Sequence, residues 1–129
     1  MGCGRPRLDL RRESRACAAG LATLETIAAE NLTDNASKVG EELLSGLGEL
    51  PTQFPRTVTD VRGVGLMIGV EFRTGKQAEA VQQQAFEHGL LVLACGESTI
   101  RMSPPLVVTL DQAHTALRIF GDSVAAVAE

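Results

Sequence analysis

The segment Leu66 to Phe72 constrains this chain more than any other. Leu66, Ile68, Val70 and Phe72 recur at every second position, with Met67, Gly69 and Glu71 between them. A period of two puts these sets on opposite faces of a strand. One face is apolar and must be buried. The other carries a thioether, a glycine and a carboxylate, and stays open. Gly69 weakens the middle of the strand and marks a close approach by another group. Val58 to Arg62 reads as a preceding short strand, and Gly63-Val64-Gly65 as the turn or bulge that joins the two.

A sheet with one apolar face needs helices to cover it. Ser14 is a candidate N-cap, and Cys17, Leu21, Leu24, Ile27 and Ala28 after it form a helical stripe. A break at Asn31 precedes a second helix with Leu32, Ala36, Val39, Leu43, Leu47 and Leu50 inward. Gly46, Gly48 and Pro51 stop it, and a loop follows to Thr57. Lys76 to His88 is a third helix, with Ala78, Val81, Ala85 and Phe86 inward and Gly89 as a left-handed cap. Leu90 to Ala94 is a continuous apolar run, expected as a central strand. Thr99 to Met102 is a last strand, ended by Pro104 and Pro105, which cannot donate to a ladder. Thr109 and Gln112 form a capping box for a final helix carrying Ala113, Ala116, Leu117, Phe120, Val124 and Val127 inward. The expected fold is α+β: two layers, with a small, mostly antiparallel sheet covered by helices on one face. Residues 1–14 read as an irregular leader and residues 15–129 as one domain.

Composition narrows the function. With a net charge of −4 and 3% aromatic residues, the chain lacks the footprint of a nucleic-acid binder. The cluster Arg5, Arg7, Arg11, Arg12 and Arg15 reads as a solvated end. Cys3, Cys17 and Cys95 show no CxxC spacing, so neither a disulfide framework nor a zinc site is expected, which fits a reducing cytoplasm. Cys95 is expected as a small buried thiol. No apolar run reaches membrane-spanning length, the N-terminus lacks the apolar core of a signal peptide, and Pro6 breaks a myristoylation pattern after Gly2.

Few residues offer chemistry. Gly63, Gly65 and Gly69 open a strand rather than a helix, so they serve turn geometry and not phosphate binding. His88 and His114 fall on helix surfaces. Glu71 and Glu97 would need to converge to act as an acid–base pair. The two lysines, Lys38 and Lys76, sit in polar helical contexts with nothing to depress a pKa for Schiff-base chemistry. Arg101 lies on a short strand between Ile100 and Met102. Its planar guanidinium can grip a carboxylate through two parallel hydrogen bonds, or stand in solvent at a sheet edge; pattern alone favours the second.

Five blocks together carry a resemblance: Ala16-Cys17-Ala18-Ala19-Gly20-Leu21-Ala22-Thr23-Leu24-Glu25, Val61-Arg62-Gly63-Val64-Gly65-Leu66-Met67-Ile68-Gly69-Val70-Glu71-Phe72, Gly89-Leu90-Leu91-Val92-Leu93, Cys95-Gly96, and Ile100-Arg101-Met102-Ser103-Pro104-Pro105-Leu106. In order and spacing they resemble the C-terminal part of class III pyridoxal-phosphate aminotransferases, of the 4-aminobutyrate, ornithine and acetylornithine types. The Cys-Gly turn and the Arg-x-x-Pro-Pro-Leu block look most like the 4-aminobutyrate type. The resemblance implies the small domain of a type I fold, packed against a large cofactor domain, with Arg101 as the matching substrate-carboxylate contact. It also implies an amino-group transfer between an amino acid and a 2-oxo acid in the parent enzyme. The family's Schiff-base lysine and phosphate-binding groups belong to the preceding large domain and have no counterpart here. Arg11 to Arg15 replace the family's Gly-Asn-Pro turn. The expectation is a C-terminal fragment, inactive alone, binding no pyridoxal phosphate by itself and lacking a large domain or second subunit. The alternatives are a stand-alone carboxylate-binding or oligomerisation module, or a non-functional remnant.

Overall fold

In the computed structural model, which describes residues 10–128 and the side chains of 14–128, the chain divides into two compact units, Met1–Thr33 and Asp34–Glu129. The first holds helix α1, Leu10–Ala29. Helix therefore starts before Ser14, which lies inside α1 and is not its N-cap; the leader expected over residues 1–14 is helical from Leu10, and residues 1–9 lie outside the described residues. In the helical stripe Leu21 and Leu24 are 59% and 66% exposed, and Ile27 is half-buried. Glu30 and Asn31 close the helix, with Asn31 at φ 50°.

Helix α2 spans Leu32–Leu47 and contributes Val39, Leu43 and Leu47 to the core of the second unit. A short helix α3, Leu50–Gln53, follows. Pro51 sits in its first turn, where a missing N–H costs nothing, so this proline begins a helical turn instead of opening a loop. Strand β1 is Val58–Val64 and β2 is Met67–Phe72, paired antiparallel from Val64↔Met67 to Val58↔Phe72, with a bulge between Val58 and Asp60. The turn is Gly65-Leu66, two residues later than expected from the glycine spacing. Gly65 has φ +54°, which the first central position of a tight hairpin turn requires. Leu66 is in the turn yet remains buried.

Helix α4 is Gly75–Glu87, capped by Thr74, whose side-chain oxygen accepts from the Gln77 amide. Its end is a Schellman motif: Gly89 N–H bonds Phe86 O, Leu90 N–H bonds Ala85 O, and Gly89 has φ +85°. Strand β3 is Leu93–Cys95, β4 is Thr99–Met102, and helix α5 is Leu110–Ala128. The capping box is formed as expected, with Thr109 N–H donating to Gln112 Oε1 at 3.0 Å and Gln112 N–H to Thr109 Oγ1 at 3.3 Å.

The sheet order is β1-β2-β4-β3, antiparallel throughout, which confirms the α+β class and the antiparallel sheet. Leu90 to Ala94 is not a central strand. Only residues 93–95 pair, at the sheet edge and with β4 alone, because Leu90 and Val92 have already turned inward before pairing begins. Phe86, expected inward, is 60% exposed.

One sheet face is packed. Ile68, Val70, Phe72, Ile100 and Met102 meet Val81 and Ala85 of α4, Phe120 and Val124 of α5, and the α2 leucines. Among the described residues no buried side-chain nitrogen or oxygen lacks a partner, and no helix is long and apolar enough to cross a membrane.

Candidate functional site: the open sheet face

Register fixes what stands on the other face. Asp60 lies beside Glu71, Arg62 beside Gly69, Gly69 beside Arg101, and Arg101 beside Leu93. One cross-strand row is therefore Arg62, Gly69, Arg101, Leu93. The next is Asp60, Glu71, Thr99, Cys95. The alternation of β2 placed Met67, Gly69 and Glu71 here, and the structure agrees. Val64, Met67 and Leu93 add exposed apolar surface to the same face.

Arg101 is exposed, and among the described residues it has no hydrogen-bond or ion-pair partner. Its strand fixes its direction: Ile100 and Met102 are buried on either side, so the arginine between them must point to the open face. Gly69 next to it leaves the floor bare. A Cβ at Gly69 would lie 3.3 Å from the Thr99 methyl and 3.9 Å from Arg62 O, a tight but side-chain-limited fit. Packing within the sheet therefore does not by itself demand glycine there.

Arg62, not singled out by sequence, is the hub of the face. Its Nη1 donates to Asp60 Oδ2 at 2.7 Å and to Glu71 Oε2 at 2.6 Å. The Asp60 hydrogen bond, then those of Glu71 and its charge, raise the guanidinium above its ordinary pKa. Only part of this was legible in the sequence: Asp60 and Arg62 share a strand face at spacing two, while Glu71 joins them through the register of the hairpin. Glu71 and Glu97 share no bonding partner among the described residues. Glu71 is held by Arg62, while Glu97 is exposed in the Cys95–Ser98 turn.

Asn35 was also missed. Its Nδ2 donates to Leu106 O at 2.7 Å and Val108 O at 3.0 Å, tying α2 to the segment after Pro104-Pro105. The two prolines end β4 and Asn35 pins the exit. Asn35→Ala is expected to cost about 1–3 kcal/mol, because two loop carbonyls lose their donor; urea unfolding followed by circular dichroism measures it.

The remaining candidates are surface groups. His88 Nδ1 donates to Gln84 O at 2.7 Å, and His114 Nε2 meets Glu42 Oε1 at 3.0 Å, both exposed. Cys17 and Cys95 are exposed free thiols, so the expected burial of Cys95 is wrong; β3 is an edge strand and Cys95 shares the open face with Thr99. Cys3, Arg5 and Arg7 lie outside the described residues, as do the side chains of Arg11 and Arg12, while Arg15 is exposed. Among the described residues no cluster of three metal-ligating side chains occurs. An apolar cavity of about 290 Å³ lies on the helix side, lined by Leu43, Met102, Pro104, Pro105, Val108 and Ala113 among others. None of its lining side chains is charged; Ser103 and Gln112 are its polar ones.

A small antiparallel sheet with one packed face, and on the other an arginine without a partner among the described residues, defines the α+β module. The protein-family model described as aminotransferase class-III matches residues 13–124, and the chain belongs to that family. It is 42% identical over 112 residues to the acetylornithine aminotransferase of Synechocystis sp., covering 85% of this chain and 26% of that protein. It is 43% identical over 104 residues to the acetylornithine aminotransferase of Gloeobacter violaceus, covering 81% of this chain and 26% of the relative. The solved acetylornithine aminotransferase from Elizabethkingia anophelis superposes with a TM-score of 0.81 at 29% identity, over 86% of this chain and 28% of that one. The chain thus spans about a quarter of the length of these relatives.

Class III aminotransferases imply pyridoxal phosphate. The residues of this chain do not fit it. The only two lysines, Lys38 and Lys76, are exposed on α2 and α4, helices that cover the packed side of the sheet. The open face carries no lysine to bond the cofactor's aldehyde.

Proposed function

We propose that this chain is the small domain of a pyridoxal-phosphate aminotransferase, which moves an amino group between an ornithine-like amino acid and a 2-oxo acid, and that Arg101 holds the substrate carboxylate. The observation that carries the reading is Arg101 on the open face, without a partner among the described residues, in a chain of this family. Two parallel N–H···O bonds from one guanidinium fix both position and orientation of a carboxylate, and the value of such a clamp to catalysis is alignment. The acetylornithine names of the relatives favour an ornithine-like donor over 4-aminobutyrate. The remainder of the enzyme, as a large domain or second subunit, would cover Val64, Met67 and Leu93 and supply the cofactor. Two exposed thiols suit a reducing cytoplasm.

Two measurements test the reading. Titration of the 129-residue chain with 2-oxoglutarate, followed by nuclear magnetic resonance, should move the Arg101 Nε–H signal. Arg101→Ala should weaken that binding about tenfold or more, the worth of a charged hydrogen-bond pair. Binding unaffected by the substitution would overturn the role of Arg101. Mixed with pyridoxal phosphate, acetylornithine and 2-oxoglutarate, the chain alone should form no glutamate; steady turnover would overturn the reading that it needs a further cofactor domain.

A further inference from the structure

Among the described residues Arg101 has no partner, although the register sets a carboxylate, that of Glu71, diagonally across from it. Glu71 lies directly opposite Thr99 on β4 and opposite Asp60 on β1. Arg101 is two residues from Thr99, and Arg62 two residues from Asp60. Glu71 is therefore the diagonal neighbour of both arginines, at roughly 7–8 Å across each strand pair, a gap that long side chains close. Glycine at position 69, between the two arginines, places no side chain in the way. By position alone Glu71 could pair with either.

In the structure it pairs with Arg62, at 2.6 Å. Asp60 makes the difference. It takes the same Nη1 at 2.7 Å and so holds the Arg62 guanidinium in place, ready for Glu71. Arg101 has no such anchor: its neighbours in the row are Gly69 and Leu93, neither with a side chain that can accept a hydrogen bond.

We infer that Arg62 is a positioning residue: anchored by Asp60, it sequesters Glu71 and thereby keeps Arg101 open for a ligand carboxylate. Arg62 does not touch the ligand. It removes an internal competitor that would otherwise occupy the guanidinium edge the ligand needs. This rests on the reading of Arg101 as a carboxylate contact.

The competition is modest, because the groups are more than a third exposed. An exposed pair of this kind would lower carboxylate affinity about threefold to fivefold when Glu71 is released onto Arg101. The experiment has two arms. In the first, the chain is titrated with 2-oxoglutarate. Arg62→Ala should weaken binding by that factor, and Arg62→Ala with Glu71→Gln should restore it; Arg62→Gln, which keeps most of the stem length, is the parallel variant should the alanine loosen the hairpin. A merely structural role for Arg62 would leave the double variant as weak as the single one. In the second arm no ligand is present, and the Arg101 Nε–H signal is followed by nuclear magnetic resonance. Arg62→Ala should move that signal, because the released Glu71 then pairs with Arg101, and adding Glu71→Gln should return it to its wild-type position. With Arg62 intact, Glu71→Gln should leave it in place. An unmoved Arg101 signal in Arg62→Ala, or full affinity in Arg62→Ala, overturns the role of Arg62. Absence of any Arg101-dependent binding in wild type overturns the carboxylate reading, and the second arm still decides whether Arg62 restrains Glu71.

Discussion

Gly40→Ala is expected to destabilise the second unit by about 2–3 kcal/mol, although alanine is the better helix former. Gly40 lies within α2, and its Cβ would collide with the Gly65 carbonyl and stand 2.7 Å from Gly65 Cα. The intrinsic helix preference of alanine favours the substitution by about 0.5–1 kcal/mol. The collision opposes it and is larger, because it involves backbone on both sides. Gly65 cannot retreat: its φ of +54° and the Val64↔Met67 pair fix the turn, and the register of β1 and β2 follows from it. The helix would have to lift from the sheet, opening contacts of Val39 and Leu43. Gly121 provides the control. A Cβ there meets nothing within 4 Å in the middle of α5, so Gly121→Ala should stabilise by about 0.5–1 kcal/mol. Urea unfolding midpoints of the two variants should move in opposite directions. A Gly40→Ala midpoint at or above wild type would mean that α2 does not rest on the hairpin turn as described.

Gly40 also shows where sequence reading stops. A glycine in a helical pattern reads as a mild weakness, and only the three-dimensional approach of a turn 25 residues away, the spacing of Gly40 and Gly65, explains it. Features decided within a few residues were legible. The period of two in Leu66–Phe72 predicted which residues are buried; the capping box at Thr109 and Gln112 and the left-handed Gly89 were read from spacing alone. Features decided by sheet position were not. Leu90–Ala94 looked like a central strand because continuous apolar runs carry no period, and its edge position, with Leu91 and Leu93 exposed, comes from the strand order. Cys95 is exposed for the same reason; Phe86 follows the buried Ala85 on α4 by one residue, about 100° round the helix from the packed stripe. The helical stripe of α1 had the right period, but period says only which residues share a face, not whether anything covers it.

The candidate site divides in the same way. Arg101 was visible as a residue, and alternation with Ile100 and Met102 already put it opposite the core. Its meaning came from the resemblance of the whole block, since a lone strand arginine is otherwise a surface group. Arg62 and Asn35 acquire their roles through partners 9 and more than 70 residues away, which no local pattern reports. Two physical facts then combine on one surface. The packed face spends its side chains on stability, and the open face is free to present charge. A single strand, β4, serves both, with Ile100 and Met102 on one side and Arg101 on the other. Substitutions that loosen the packed face should therefore also blur the aim of Arg101.

Phe120→Ala is the strongest such substitution. Phe120 is fully buried on α5 and meets Phe72 of β2 edge to face, with ring centroids 6.5 Å apart and planes at 66°. It joins the last helix to the strand that pairs with β4. Removing a buried ring costs about 3–5 kcal/mol, from lost transfer energy and the cavity left behind. Edge-to-face contact with Phe72 adds about 0.5–1.5 kcal/mol beyond the buried area. Domains of this size are stable by about 5–15 kcal/mol, so the variant should retain only part of its stability and unfold at much lower urea. Phe120→Leu keeps most of the apolar volume and should fall between the two. At a urea concentration where wild type is folded, Phe120→Ala should lose both its far-ultraviolet circular dichroism signal and the proposed Arg101-dependent binding of 2-oxoglutarate, the two losses following one curve. Binding that survived after the helical signal had gone would mean that Arg101 is held by β4 and its neighbours without the α5 layer, and would break the link argued between the two faces.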